Sequence, residues 1–321
     1  MAYQTGSSSD VLDLLDKLRV FAIAQGWTVD EWTSPDLHIS KGGRYFVLHG
    51  DTSAGSGGNV GPFLQICGAT GYSAVAAWNA QPGTSPSVET NGMPGPFTAY
   101  HFFAGASPDY LHVVVEVSAG VFKHFHIGSL SPFGAIADGS YATGSRWQYN
   151  SGPDTNFPDH QNYHNYPFGC GTDDQLRGPS VLRVDTDGVS PKWNRFDSNY
   201  TTPAGYRATS VVLQSTSFYS DVWRSPGYAL FNGSPNAFNG LTVLIPMPVF
   251  VERASAKFSP AGYVKDVRFV NMKNLTAGET LTIGTDQWLV FPAIQKTATW
   301  NVSGVLTPSS GYYGYAYKKI P

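Results

Sequence analysis

The sequence is short of charge. Asp, Glu, Lys and Arg make up 13% of its 321 residues, against roughly 25% in an ordinary soluble domain. The formal net charge is -3 and no Lys/Arg cluster occurs, which argues against a nucleic-acid partner. Cysteine is scarce. Cys67 and Cys170 alone make no disulfide framework, and a reducing compartment is the simpler expectation. No run of about 18 apolar residues exists, so no membrane-spanning helix is expected. The start MAYQTGSSSD lacks the basic and apolar regions of a signal peptide. Without secretion, the sequons at Asn199, Asn232, Asn274 and Asn301 carry no meaning. Catalytic signatures are missing as well. There is no G-x-S-x-G nucleophile elbow and no dinucleotide fingerprint. The stretch GDTSAGSGGNVG (50–61) lacks the Lys-Ser/Thr that closes a P-loop and reads as a loop. Cys67 sits in an apolar run and reads as core, and Cys170 lies in a loop between glycines.

What is abundant is Gly (35), Pro (22), Phe (19) and Tyr (18), with 41% apolar residues overall. That mixture favours turns and aromatic-rich strands. One helix is expected, from Asp10 to Gln25, capped by Ser8, Ser9 or Asp10 and ended by Gly26. Val11, Leu14, Leu15, Leu18, Phe21 and Ala22 make its apolar stripe. Strands are expected at Thr28–Trp32, Leu37–Ser40 and Arg44–His49, the last two joined by a turn at Lys41-Gly42-Gly43. The clearest strand signals are Thr98–Phe103, Tyr110–Val117 and Val121–Ile127. Ser129–Asp187 reads as loop. Strands return at Ser180–Val184, Ser210–Gln214, Leu241–Val251, Val267–Asn271, Thr280–Thr285, Trp288–Phe291 and Tyr312–Lys319. The fold class expected is mainly β: a small N-terminal helix-plus-sheet unit, then one or two β-sandwich or barrel-like domains with long loops. The expected division is 1–60, 61–200 and 201–321.

The sharpest constellation is His124-Phe125-His126. Residues two apart on a strand share a face. A three-residue turn at 118–120 would set His112 opposite His126 and Val114 opposite His124, with Glu116 on the same face. A two-residue turn would pair His112 with Ile127 and break the set. Imidazoles so grouped suit zinc or iron; packed or subunit-contact histidines are the plainer alternative. His160 and His164 could form a loop metal site or a solvated loop. Asp154, Asp159, Asp173 and Asp174 near Trp147, Tyr149, Tyr163 and Tyr166 could line a saccharide groove, or belong to any β-rich loop region. Pro246 and Pro248 weaken strand pairing on one side, so 241–251 is expected at an edge or in a PPII-like segment. The loops of 129–180, with Trp147, Tyr149, Tyr163 and Tyr166, and the segment 241–251, with Pro246 and Pro248, are the candidate partner surfaces.

Several segments together carry a resemblance. DVLDLLDKLRVFAIAQGWTVDEW (10–32) resembles the N-terminal segment of virion proteins of tailed bacteriophages, where a helix of the form LLxxLxxFxxxxGW follows a Ser/Gly-rich start. KHFHIGSLSPFGAIADGSYATGS (123–145), FNGLTVLIPMPVFVER (238–253), VKDVRFVNMKNLTAGETLTIGTDQWLVFPAIQK (264–296) and GYYGYAYKK (311–319) are similar to the same group. The resemblance implies a non-enzymatic structural part of the virion, in the tail baseplate or tail tip, acting as a ring or connector. It implies other tail and baseplate proteins as partners, and a homo-oligomer, trimer or hexamer. A receptor- or saccharide-binding tail protein with weak depolymerase activity is the alternative, and a metal-dependent hydrolase a third class. Some contractile-tail spikes bind iron through HxH pairs from three chains. This sequence lacks their repetitive β-helical pattern, so that site is not transferred.

Overall fold

The computed structural model of the chain describes residues 1–53, 61–149, 162–165, 167, 180–185, 190–196, 207–210, 234–254, 257–297 and 310–320. It begins with a strand, β1 (Ala2–Ser8), and one helix, α1 (Val11–Ala24). Asp10 is the N-cap: its carboxylate accepts from the Leu12 and Asp13 N–H groups, each at 2.9 Å, satisfying donors a helix start leaves open. Gly26, at φ +75, turns the chain away at the other end. Lys41 Nζ donates to the Gln25 carbonyl at 2.8 Å there. The expected apolar stripe is buried in full. Each of its larger side chains contributes roughly 1.5–3 kcal/mol by leaving water.

The helix lies on a five-stranded antiparallel sheet of β2 (Thr28–Thr33), β3 (Asp36–Lys41), β4 (Arg44–Asp51), β5 (Phe63–Ala69) and β6 (Val88–Asn91). Gly42 and Gly43, both at positive φ, form the two-residue turn between β3 and β4. Leu37, Leu48, Ile66 and Val88 stand in one cross-strand row, packed in the same core as the α1 stripe.

The rest of the molecule is dominated by a 14-stranded sheet that curls into a half-barrel. Its strands are β1, β7 (Phe97–Gly105), β8 (Tyr110–Ser118), β9 (Val121–Ser129), β10 (Ser131–Pro132), β11 (Asp138–Gly144), β14 (Ser180–Val184), β15 (Lys192–Phe196), β16 (Arg207–Ser210), β17 (Ile245–Ala254), β18 (Lys257–Asn271), β19 (Thr280–Ile283), β20 (Asp286–Pro292) and β21 (Tyr313–Ile320). A separate two-stranded ribbon pairs β12 (Arg146–Tyr149) with β13 (Asn162–Asn165). One face of β7–β8–β9 joins the core under α1, through Phe102, Val113, Val115, Phe125 and Ile127. The opposite face lines a second core, where Phe103, Val114 and Phe122 meet Phe269, Phe291, Tyr315 and Tyr317. The molecule is therefore mainly β, as its composition implies.

Several elements differ from the sequence expectation, among them β6, β10, β12, β13 and β15, which were not expected as strands, and three more with a clear physical reason. β11 runs through the expected loop 129–187. It reads as loop because it is made of small residues, and they are small because it is crowded. Gly144 lies so close to Thr90 and the Glu89 backbone that a Cβ would overlap them. β1, which has no apolar alternation, pairs along β7, and Thr5 Oγ1 donates to the Tyr100 carbonyl at 2.8 Å. β17 is interior to the sheet path rather than an edge. Its register slips between Pro246 and Pro248, and Val249–Val251 pair with β16 as well as β18. Ile245–Pro248 and Glu252–Ala254 pair with β18 alone, and in the first of these stretches the two prolines lack donors. Of the expected strand Ser210–Gln214, Ser210 closes β16, and 211–214 lie outside the described residues.

Candidate functional site

β8 and β9 bring the expected histidines together. His112 pairs with His126, and Val114 with His124. The route differs from the expected three-residue turn. Ser118 pairs with Val121, so the turn has two residues, and a bulge between Glu116 and Ser118 restores the register. Glu116 stands aside: its Oε1 accepts from the Gly120 N–H at 2.9 Å and caps the turn. His101 on β7, across from Val114, adds a fourth imidazole that the sequence reading missed. Its ring lies 4.7 Å from that of Phe291, and its Nδ1 is 2.9 Å from the Tyr3 hydroxyl. The signal was a histidine two residues before Phe103, on the same face of the strand.

His112, His124 and His126 are wholly buried, because β9 is covered on both faces. Their nitrogens meet protein groups. His124 Nε2 donates to the Pro292 carbonyl at 2.8 Å. Its Nδ1 therefore accepts, and the Tyr317 hydroxyl donates to it at 2.8 Å. His112 Nε2 donates to the Lys265 carbonyl at 3.0 Å. Its Nδ1 in turn accepts from His126 Nδ1 at 3.1 Å. His126 Nε2 is left as the acceptor nitrogen, 3.4 Å from the Tyr317 oxygen. These directions follow from a carbonyl's inability to donate, with each imidazole neutral. Tyr317 stacks between His124 and His126 at ring separations of 5.9 and 5.6 Å.

Burial sets the electrostatics. It holds the His112 and His124 imidazoles down to about 3, and His101 down to about 4. Burial holds His126 well below the usual range too, with His112 and His124 adding to the effect. It also raises Tyr317 well above the usual phenol range. All these groups are uncharged at neutral pH. Lys123, at the alternate position on β9, is buried too. Desolvation pushes its ammonium down to about 8, with the Glu89 charge opposing.

This is a hydrogen-bonded network and not a coordination shell. Among the described residues, no three His, Cys, Asp or Glu side chains converge as zinc or iron would require. The other expected positions fall elsewhere. Trp147, Tyr149, Tyr163 and His164 belong to the β12–β13 ribbon, with Trp147 opposite His164 and Tyr163 opposite Gln148. Tyr166, His160, Asp154, Asp159, Asp173, Asp174 and Cys170 lie outside the described residues. Pro246 is exposed and Pro248 half-buried. Cys67 is buried on β5, and desolvation raises its thiol to about 12, which keeps it unreactive. Among the described residues, no helix is long and apolar enough to cross a membrane. No protein-family model matches this chain, and no curated protein matches it.

Proposed function

We propose that this chain is a structural component of a tailed-phage virion, a ring or connector of the tail baseplate or tail tip that acts through repeated protein–protein contacts. The observation that carries the reading is how the molecule distributes its polar and apolar groups. The histidines and tyrosines that could do chemistry are tied to one another and to backbone carbonyls inside a core. Large apolar side chains stand outside: Phe238 is 100% exposed and Leu241 66%, on a segment leading into β17. Val243 and, on the terminal strand β19, Ile283 are about half exposed. A charge-poor chain with apolar groups in such places is suited to being covered by neighbours.

Trp193 supports an assembly part over an open sugar groove. It is half-buried, packs over Gly68 and donates from Nε1 to the Gly83 carbonyl at 2.9 Å. It thereby clamps β15 to the N-terminal sheet.

Quantitative mass spectrometry of purified particles tests the proposal. Copies at a fixed multiple of three or six per particle are expected. Presence in infected cells but absence from particles would overturn it. Phe238→Ser combined with Leu241→Ser is expected to leave the fold intact and lower incorporation.

A further inference from the structure

The curl of the large sheet brings β8–β9 against β18, β20 and β21 along a seam, and the seam is closed differently at its ends and in its middle. At one end the Phe122 N–H donates to the Ile294 carbonyl at 2.7 Å, and Val121 bridges Gln295. At the other, β10 pairs with β18, and the Phe133 N–H donates to the Ala261 carbonyl at 3.2 Å. Between these backbone contacts, side chains make the crossing. His124 reaches Pro292 and Tyr317, and His112 reaches Lys265. Near the β10 end, the Tyr110 hydroxyl reaches Asp266 at 2.7 Å.

We propose that the histidine row is an acid-operated latch: proton uptake at the row opens the seam between β8–β9 and β18–β20–β21 while the core under α1 stays closed. The acceptor nitrogens of the row are His112 Nδ1, His124 Nδ1 and His126 Nε2, and the first proton goes to His126, which lies against both other imidazoles. A charge placed there has histidines on both sides. The carboxylates that face the row are committed elsewhere, Glu116 of β8 to the Gly120 N–H and Asp266 of β18 to Tyr110. From β1, β7 and β11 the row is faced by Tyr3, His101 and Tyr141, and from β21 by Tyr315 and Tyr317. Glu116 favours protonation of His101, while Lys319 of β21, over the Tyr3 ring, and Lys123, on the far face of β9, add positive charge and oppose it. A second proton on His112 or His124 removes an acceptor and sets cation against cation. Opening lets each imidazole reach water and take its proton there.

Hydrogen–deuterium exchange of the full chain at pH 7.5 and pH 5.0, corrected for intrinsic exchange rates, tests it. With an ordinary imidazole pKa near 6.5 in the open state, acid favours opening about 30-fold per histidine released. The Phe122 and Phe133 amides, whose acceptors lie across the seam, are expected to lose protection by at least that factor, while those of β3–β5 keep theirs. His124→Gln, which retains a donor for Pro292, is expected to reduce the acid response about 30-fold. Unchanged seam protection at pH 5.0, equal loss in β3–β5, or a variant as acid-responsive as the parent would each overturn the latch. The comparison between regions in the unaltered chain decides the matter even if the variant does not fold. A second reading of the parent chain is the histidine tautomers by nitrogen-15 NMR at pH 7. Nε2–H at His112 and His124 with Nδ1–H at His126 is expected, and an imidazolium at any of the three contradicts the network.

Discussion

At the scale of the residue, Tyr317 shows how much one hydroxyl can hold. Its proton goes to His124 Nδ1, and its ring separates two imidazoles. Tyr317→Phe keeps the ring and leaves His124 Nδ1 buried without its donor. The expected loss is about 1–3 kcal/mol, read from urea denaturation with the circular dichroism spectrum unchanged. Gly68 is the apolar counterpart. The Trp193 ring occupies the space a Cβ would need, so Gly68→Val is expected to cost ~1–3 kcal/mol, and less when Trp193 is first replaced by Ala. The histidine pairing was legible in the sequence because side chains alternate along a strand with period two. Its partners were not: Pro292 and Tyr317 follow His124 by 168 and 193 residues, and no local pattern carries information over that distance.

At the scale of the element, legibility followed amphipathicity. α1 was readable almost to the residue, because one face meets a core, the other meets water, and its cap is a single carboxylate. Asp10→Ala removes acceptors from two N–H groups and is expected to destabilise by about 1 kcal/mol, seen as a lower thermal midpoint. β8 and β9 were readable from aromatic and β-branched content. β11 was not, because close approach to β6 demands small residues that mimic a loop. β17 misled in another way. Proline spacing correctly marks where donors are missing, yet a strand can turn such a stretch into a register slip and continue inside the sheet.

At the scale of the whole molecule, the buried histidines set an acid limit on the stability of the seam that holds them. Their folded values lie below the unfolded value of 6.5, so the unfolded chain binds more protons between the two. Stability is complete above about pH 6.5 and falls as pH drops toward 3, with a slope approaching ~1.4 kcal/mol per pH unit for each histidine. Urea midpoints at pH 7.5, 6.0 and 5.0 are expected to decline in that order. The curled sheet itself could not be read in advance, since its strand order joins segments far apart in sequence, and only the mainly-β character is written in composition.

That strand order also dictates a timetable. Tyr3 meets His101, 98 positions further along the chain, whereas β2 to β6 each pair with a sequence neighbour. Closing a long loop costs entropy before any contact rewards it. The five-stranded sheet is therefore the early structure in refolding and β1 a late arrival. Pulse-labelling during refolding is expected to find β3–β5 amides shielded while those of β1 still exchange. Until β1 docks, β7 has an open backbone edge, and a chain held at that stage offers it to any other strand in solution.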